Sequence, residues 1–425
     1  MIHEPGQRPA RVADTGFTIG VASSTQVDPR LAIDEINEQL FARRATPPDF
    51  VSLHHGAART ASALWACVQD SLAARALHGA SSCKGVMTNQ RFVTGRGDAI
   101  GAFAIWDPEG SYGTAMCEIQ TSARDAAAHA TRLALSRAGR AGEAPDLVWL
   151  TACPGQEEEI LEGIKDVIGR PALVVGGSAA DNNVAGEWSV FTSEGGSQSA
   201  VVVTVMFPSV RFGCTFESGY APAGPQGRVT AACGRHLHQI DGRPAAEVYA
   251  QWTGNSIALP LSGKQSILPE ATLAPLGRRH SEIGGVPIHL LAHPAVAHAD
   301  GTIELFSDVA EGEILSLMEG SADSLVRRAP RIAHASAAQL GHLPTAGALV
   351  VYCGGCMLAI EKHMDQVAES IAEALGGAPF LGVFSFGEQG ETVSGDSVHA
   401  NLMISCTTFA GTEPRDGAAR GKGAR

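Results

Sequence analysis

Three short patterns hold the side chains best placed by type and spacing to do chemistry. Cys353-Gly-Gly-Cys356 lies between a strand-like run, residues 347–352, and an amphipathic stretch from Met357 to Leu375. Backbone amides and the positive end of a helix at such a junction lower a thiol pKa, which points to a redox dithiol or a nucleophile. The plainer reading is a pair of small buried thiols beside a Gly-Gly turn, because Met357, Ile360, Met364, Val367, Ile371 and Leu375 give that helix one apolar face. Zinc would need two more ligands, and no second Cys-x-x-Cys pair occurs.

Glu388 and His399 form the second pattern. An expected hairpin, residues 380–386 against 399–406, brings a carboxylate towards an imidazole, as an acid/base pair or a ligand clamp. The plainer reading is a salt-bridging Glu at a solvated hairpin end. The third pattern is Gly176-Gly177-Ser178-Ala179-Ala180-Asp181, directly after a strand. Successive small residues there let backbone N–H groups face a cleft that takes an anionic or polar ligand. Against it stands a tight strand-exit turn in which Asp181 bonds its own backbone. It is not a dinucleotide fingerprint, since no Gly-x-Gly-x-x-Gly opens a helix. The 15 histidines cluster at His54-His55, at His236 with His238, and at His289, His293 and His298. One axial His in an apolar pocket suffices for haem, and the pattern singles out none; covalent haem is excluded because no Cys-x-x-Cys-His occurs.

Periodicity supplies the elements that must position these residues. Strands over 17–22 and 50–53 alternate with helices over 30–41 and 60–77, and strands over 99–106 and 113–119 are expected to pair across the turn formers Asp107, Pro108 and Gly110. A helix over 122–138, a strand over 147–151, a helix over 157–168 and strands over 172–175, 188–192 and 200–207 follow. The second half gives strands near 229–232, 236–240 and 303–306, a helix over 245–252 and a long Pro-rich loop over 260–294. This alternation predicts an α/β fold, with α+β as the alternative, in which helices cover mixed sheets of two domains. The expected limits are a tail 1–14, a first domain 15–219, a Pro/Gly-rich linker 220–227, a second domain 228–412 and a tail 413–425.

Composition narrows the function classes. The 425 residues are 44% hydrophobic and 18% charged, enough for two cores without staples. A formal charge of -13 repels nucleic acid and anionic membrane surfaces. The nine Cys are scattered rather than framed as disulfides, and no signal peptide or membrane span is read, so a cytoplasmic protein is expected. No Gly-x-Ser-x-Gly, His-Glu-x-x-His or P-loop signature appears.

Four stretches resemble the FIST proteins, an N-terminal FIST domain followed by a C-terminal one: LVVGGSAADN at 173–182, HLHQIDGRPAAEVYAQW at 236–252, VYCGGCM at 351–357, and FSFGEQG at 384–390 followed by His399 and Asn401. Relatives often carry a Gly-Cys-Thr/Ser-x-Gly-Glu element, where this chain keeps Cys83 but has Val86 and Met87 near the acidic position. The cation usual after the Cys353 strand is also missing. The resemblance implies an intracellular sensory module, bacterial or eukaryotic, that binds a small ligand and signals to a partner such as a histidine kinase. Haem with nitric oxide sensing is a minority branch. The glycines at expected strand exits, Gly176-Gly177, Gly354-Gly355 and Gly387 with Gly390, are expected to meet and form one ligand cleft, drawing on Gly176, Gly177, Ser178, Asp181, Cys83, Cys353, Glu388, His399 and Asn401. A different class of reading is a cysteine-dependent enzyme or redox protein using Cys353 or Cys356 with His399 and Glu388.

Overall fold

The computed structural model describes residues 16–411, apart from 43, 45, 60, 170–172, 258, 259 and 261; the expected tails 1–14 and 413–425 lie outside the described residues. The first copy of a repeated unit runs β1 (Thr18–Ser24), α1 (Pro29–Phe41), β2 (Phe50–Gly56), α2 (Ala61–Ser71), β3 (Ala76–Ser82), a short hairpin β4 (Val86–Thr88) with β5 (Phe92–Val93), and β6 (Ile100–Trp106). The second runs β7 (Ser111–Glu118), α3 (Ala123–Arg137), β8 (Leu147–Ala152), α4 (Glu157–Ile168), β9 (Leu173–Ser178), a hairpin β10 (Val190–Thr192) with β11 (Gly195–Ser197), and β12 (Ala200–Phe207).

A third copy begins with β13 (Phe212–Ser218) and is interrupted by an insert. That insert holds β14 (Ala221–Cys233), β15 (His236–Ile240), β16 (Arg243–Pro244), α5 (Ala245–Trp252), β17 (Lys264–Ser266), α6 (Leu268–Ala271), β18 (Leu276–Ile283), β19 (Val286–Ala292), β20 (Pro294–His298), β21 (Ile303–Leu305) and β22 (Ile314–Glu319). The copy then resumes with α7 (Ala322–Ala338), β23 (Thr345–Cys353), α8 (Gly354–Ala359), α9 (Met364–Ala374), β24 (Phe380–Ser385), a hairpin β25 (Glu388–Glu391) with β26 (Ser397–Ala400), and β27 (Met403–Ala410).

The three copies have the same sheet order. They read β1-β6-β2-β3, β7-β12-β8-β9 and β13-β27-β23-β24, each with one parallel pair inside antiparallel neighbours. Each sheet is completed by the hairpin of another copy: β10-β11 joins β3, β25-β26 joins β9, and β4-β5 joins β24. This cyclic exchange ties the three sheets to one another. Every sheet buries one face under its own helices, as when Ile33, Ile36 and Leu40 of α1 and Leu64 and Val68 of α2 cover Val51, Leu53 and Ala102. The opposite faces share a central core that gathers Phe50 and Phe103, Trp149 and Val175, and Leu349, Val383 and Phe409. The mixed α/β sheets expected from periodicity are therefore present.

Several local expectations change. The strands over 99–106 and 113–119 do not pair, because β6 bonds β1 and β2 while β7 bonds β12 in another sheet. The turn between them passes from one copy to the next, and Asp107 anchors it by accepting from Tyr112 Oη and Ser209 N. Helix 60–77 ends at Ser71, and Ala76–Ser82 is a buried strand. Residues 221–227 are not a linker but the first half of β14, with a register shift between Pro222 and Gln226 where Pro225 has no N–H to donate. The Pro-rich loop of 260–294 holds β18 and β19, and Pro287 is tolerated because β19 is an edge strand. The final hairpin is β25 with β26, since β24 instead pairs in parallel with β23.

The hairpin exchange makes a stability prediction. An ideal Cβ on Gly79 would lie 2.2 Å from the Phe191 ring of the exchanged hairpin. Gly79→Ala is expected to lower stability by about 1–3 kcal/mol in urea unfolding, the usual cost of overpacking; an unchanged midpoint would mean that this contact does not hold the hairpin.

Candidate functional site

Two parallel strands of the third copy, β23 and β24, end side by side at Cys353 and Ser385. Gly354 opens α8 there with little room to spare, since a Cβ would lie 3.1 Å from the Ser385 carbonyl oxygen and 3.4 Å from Cys83 Cβ. The tight turn thus brings Cys83 of the first copy onto Cys353. Glu388, fully buried, accepts from Ser385 Oγ at 2.6 Å and from the Met403 N–H at 2.9 Å. Burial, and then the neighbouring Cys353, push its carboxyl well above the ordinary range and favour its protonated form.

Two thiols are shifted the same way. The amides of Gly355 and Cys356 bond Cys353 and favour its thiolate, as expected at a helix start, but burial and the Cys356 side chain outweigh them and push the thiol well up. Burial pushes Cys83 up to about 12. Register separates the expected acid/base partners. Gln389, not Glu388, stands opposite His399, so the Glu388 and His399 side chains point to opposite faces of the hairpin. The expected thiolate with a Glu388–His399 pair is therefore not assembled.

His399 belongs to a separate polar junction. Its Nδ1 lies 3.1 Å from Gln389 Nε2 and its Nε2 3.2 Å from the Phe306 carbonyl oxygen, an arrangement met when Nε2 carries the proton. Glu157, Glu158 and His399 place donor atoms within 4.8 Å of one another. Arg235 already bridges the two carboxylates, at 2.5 Å and 3.0 Å, and holds the place a cation would take. Burial opposes ionisation of Glu157, but His399 when protonated, Arg235 and the Ser178 hydroxyl hold its carboxyl down at about 2.

The Gly-Gly-Ser-Ala-Ala-Asp stretch is closed rather than open to a ligand. Gly176 and Gly177 pair with Gln389 and Glu388, and the amides of Ser178, Ala179 and Ala180 bond Gly387, Ala152 and Ser81. Ser178 Oγ donates to Glu157 Oε1 at 2.6 Å. Asp181 accepts from the N–H groups of Asn183, Val184, Ala185, Gly186 and Glu187, which corrects its reading as a ligand contact. A void of about 10 Å³ bordered by His54, Trp149, Thr151, Gly177 and Ser385 holds one water at most.

Open space lies one layer outward, where the insert meets the third copy. A groove of about 340 Å³ is bounded by Phe216, Tyr220, Leu290, Met318 and Met403, with His289 and the Arg328–Glu217 ion pair as its charged or ionisable groups. That volume is within the range of small-ligand sites. Two of its residues touch the buried centre directly. Tyr220 donates to the Thr272 carbonyl at 2.8 Å and lies 3.4 Å from Cys356 Sγ, while the Met403 N–H bonds Glu388. Beside them Asn401 fastens insert to core, accepting from His293 N at 3.1 Å and donating to Leu291 O at 3.0 Å. Sequence reasoning missed this groove: its residues form no motif, and five strands and a helix must assemble before they meet.

Residues 49–243 match the family model for the FIST N domain and residues 245–391 that for the FIST C domain. The chain is a FIST protein. FIST domains are regarded as small-ligand-sensing modules of signal transduction. The seam between the two matched regions falls inside the insert, at β16, rather than between sheets. No curated protein matches this FIST chain in sequence. Among solved structures, a cyanuric acid hydrolase from A. caulinodans is similar at 11% identity and TM-score 0.27, over 48% of this chain and 72% of that one. PurLQS from Thermotoga maritima is similar at 10% identity and TM-score 0.20, over 93% and 73%. Neither likeness is close enough to inform function.

Two outcomes check the buried centre. Because the folded pKa of Glu388 is raised above its ordinary 4.5, its contribution to stability is complete below that pH and declines as pH rises towards the folded value. Glu388→Gln, which mimics the neutral acid, is expected to flatten the loss of stability as pH rises above 4.5; an unaltered slope would show that the carboxyl is not raised in the folded protein. Thiol labelling of the native protein at pH 7 is expected to modify exposed Cys233 first and to leave Cys353 and Cys356 unmodified. Fast labelling of either would restore the thiolate reading.

Proposed function

We propose that this FIST protein senses a small ligand in the groove between the insert and the third copy, and that occupancy alters its contact with a signalling partner such as a histidine kinase. The observation that carries the proposal is the groove's position. Its walls come from two parts of the chain, Leu290 and Met318 from the insert and Phe216 and Met403 from the third copy, packed in one apolar cluster, so a ligand seated there touches both and favours the arrangement of insert and copy that fits it. Differential affinity is what a population shift requires. Tyr220 and Met403 then link occupancy to the Cys353, Cys356 and Glu388 centre, where buried, tightly bonded groups fit a structural relay better than a nucleophile. Cys83, Cys353, Glu388 and Asn401 support the groove from behind. Among the described residues no helix is long and apolar enough to cross a membrane.

Haem is left to the test, since His289 is the histidine that borders the groove and its imidazole already contacts Ser316 Oγ at 3.4 Å. A metabolite panel with haem included, read by thermal shift, is expected to yield at least one small molecule that raises the unfolding temperature. Ile288→Trp, which fills the groove, is expected to remove that shift while remaining folded. A ligand that binds the variant equally well would place the site elsewhere, and a Soret band lost in His289→Ala would assign the groove to haem.

A further inference from the structure

The charge arrangement around the groove narrows the ligand class, and this step rests on the groove being the sensing site. Phe216, Ile288, Leu290, Met318 and Met403 make most of the wall apolar. Arg328 enters from α7 and pairs through Nη2 with Glu217, yet its Nε is buried without a hydrogen-bond partner. A buried donor without a partner is costly, and a guanidinium has five donors in a fixed fork. Arg327 and Arg331 lie on the same helix, and Asp323 pairs with Arg327. Among the residues that line the groove, Arg328 is the cation and Glu217 the carboxylate, and Glu217 engages the guanidinium through Nη2 alone. His289 adds no positive charge at neutral pH, because burial and Arg279 lower its pKa.

We infer that the groove takes an amphipathic monoanion, an apolar body carrying a single carboxylate that accepts from Arg328 while the body lies against Phe216, Leu290 and Met403. A planar carboxylate suits the guanidinium fork, which has donors beyond the one given to Glu217. A neutral amide offers the fork one carbonyl oxygen and no charge, a weaker bond. A primary amine has to take Glu217 from Arg328. Glu217 competes with the ligand for the same guanidinium.

Calorimetry with phenylacetate and hexanoate, against phenylacetamide and hexylamine, tests this on the full chain. The carboxylates are expected to bind at least tenfold more tightly than their neutral and cationic counterparts. Arg328→Gln should remove that preference, and Glu217→Gln should tighten carboxylate binding several-fold by freeing the guanidinium. Circular dichroism and the unfolding temperature report whether each variant folds, and the Glu217→Gln gain cannot arise from misfolding. If the amide or amine binds as well as the carboxylate and Ile288→Trp removes both, the groove stands and the ligand class is overturned. If none of the four probes binds, or binding survives Ile288→Trp, the class falls, and in the latter case the groove falls with it.

Discussion

At the exit of β9 an ideal Cβ on Gly176 would lie 1.9 Å from the Leu150 carbonyl oxygen, and one on Gly177 would lie 2.7 Å from both Ser385 Cβ and Val351 Cγ1. Leu150 is on β8 of the same sheet and Ser385 and Val351 are on strands of the third copy, so Gly176 lets β9 lie against its neighbour and Gly177 lets the second and third sheets meet, each because a side chain is absent. That approach has two results. It permits the exchange of hairpins that ties each copy to its neighbour, and it closes the strand exits to any ligand larger than water. Ligand space then has to lie further out, where the insert leaves the third sheet.

The polar groups at this closed centre follow the same logic. Glu388 is tolerated in the core because two donors satisfy it and because burial raises its pKa towards the neutral form. Glu157 is held low by His399 when protonated and by Arg235, which reaches it from the insert. Two carboxylates of similar burial are thus shifted in opposite directions, Glu157 down beside basic groups and Glu388 up beside Cys353. The insert is fastened to the core by Arg235 on one side and by Asn401 with His293 on the other, and the groove opens between its apolar wall and β13.

Much of this architecture was legible in the sequence. Most strands and helices followed from periodicity, and the clustering of Gly176, Gly354 and Gly387 at strand exits pointed to one meeting place. Gly177 and Gly354 do meet at Ser385, and Gly387 lies beside them against His399 with its carbonyl bonded to the Ser178 N–H, but as packing rather than as a cleft. The threefold repetition was hidden because the insert splits the last copy and because the exchanged hairpins pair with distant segments, which no local pattern encodes. Glu388 was found through its motif, yet its partner was misread, since a shift of one residue in register turns a side chain to the other face. Residues of the groove, Phe216, Tyr220, Leu290 and Arg328, are ordinary in sequence and acquire meaning only through tertiary contact.

The claim on which the account depends is that a small ligand is read where insert and third copy meet. Amide hydrogen exchange with and without a bound ligand measures this directly. Added protection is predicted in β13, in β19 and in the turn of α7 around Arg328, with a weaker change at the Cys353 to Cys356 turn reached through Tyr220. Protection confined to the strand exits of β3 and β9, with the groove segments unchanged, would contradict it.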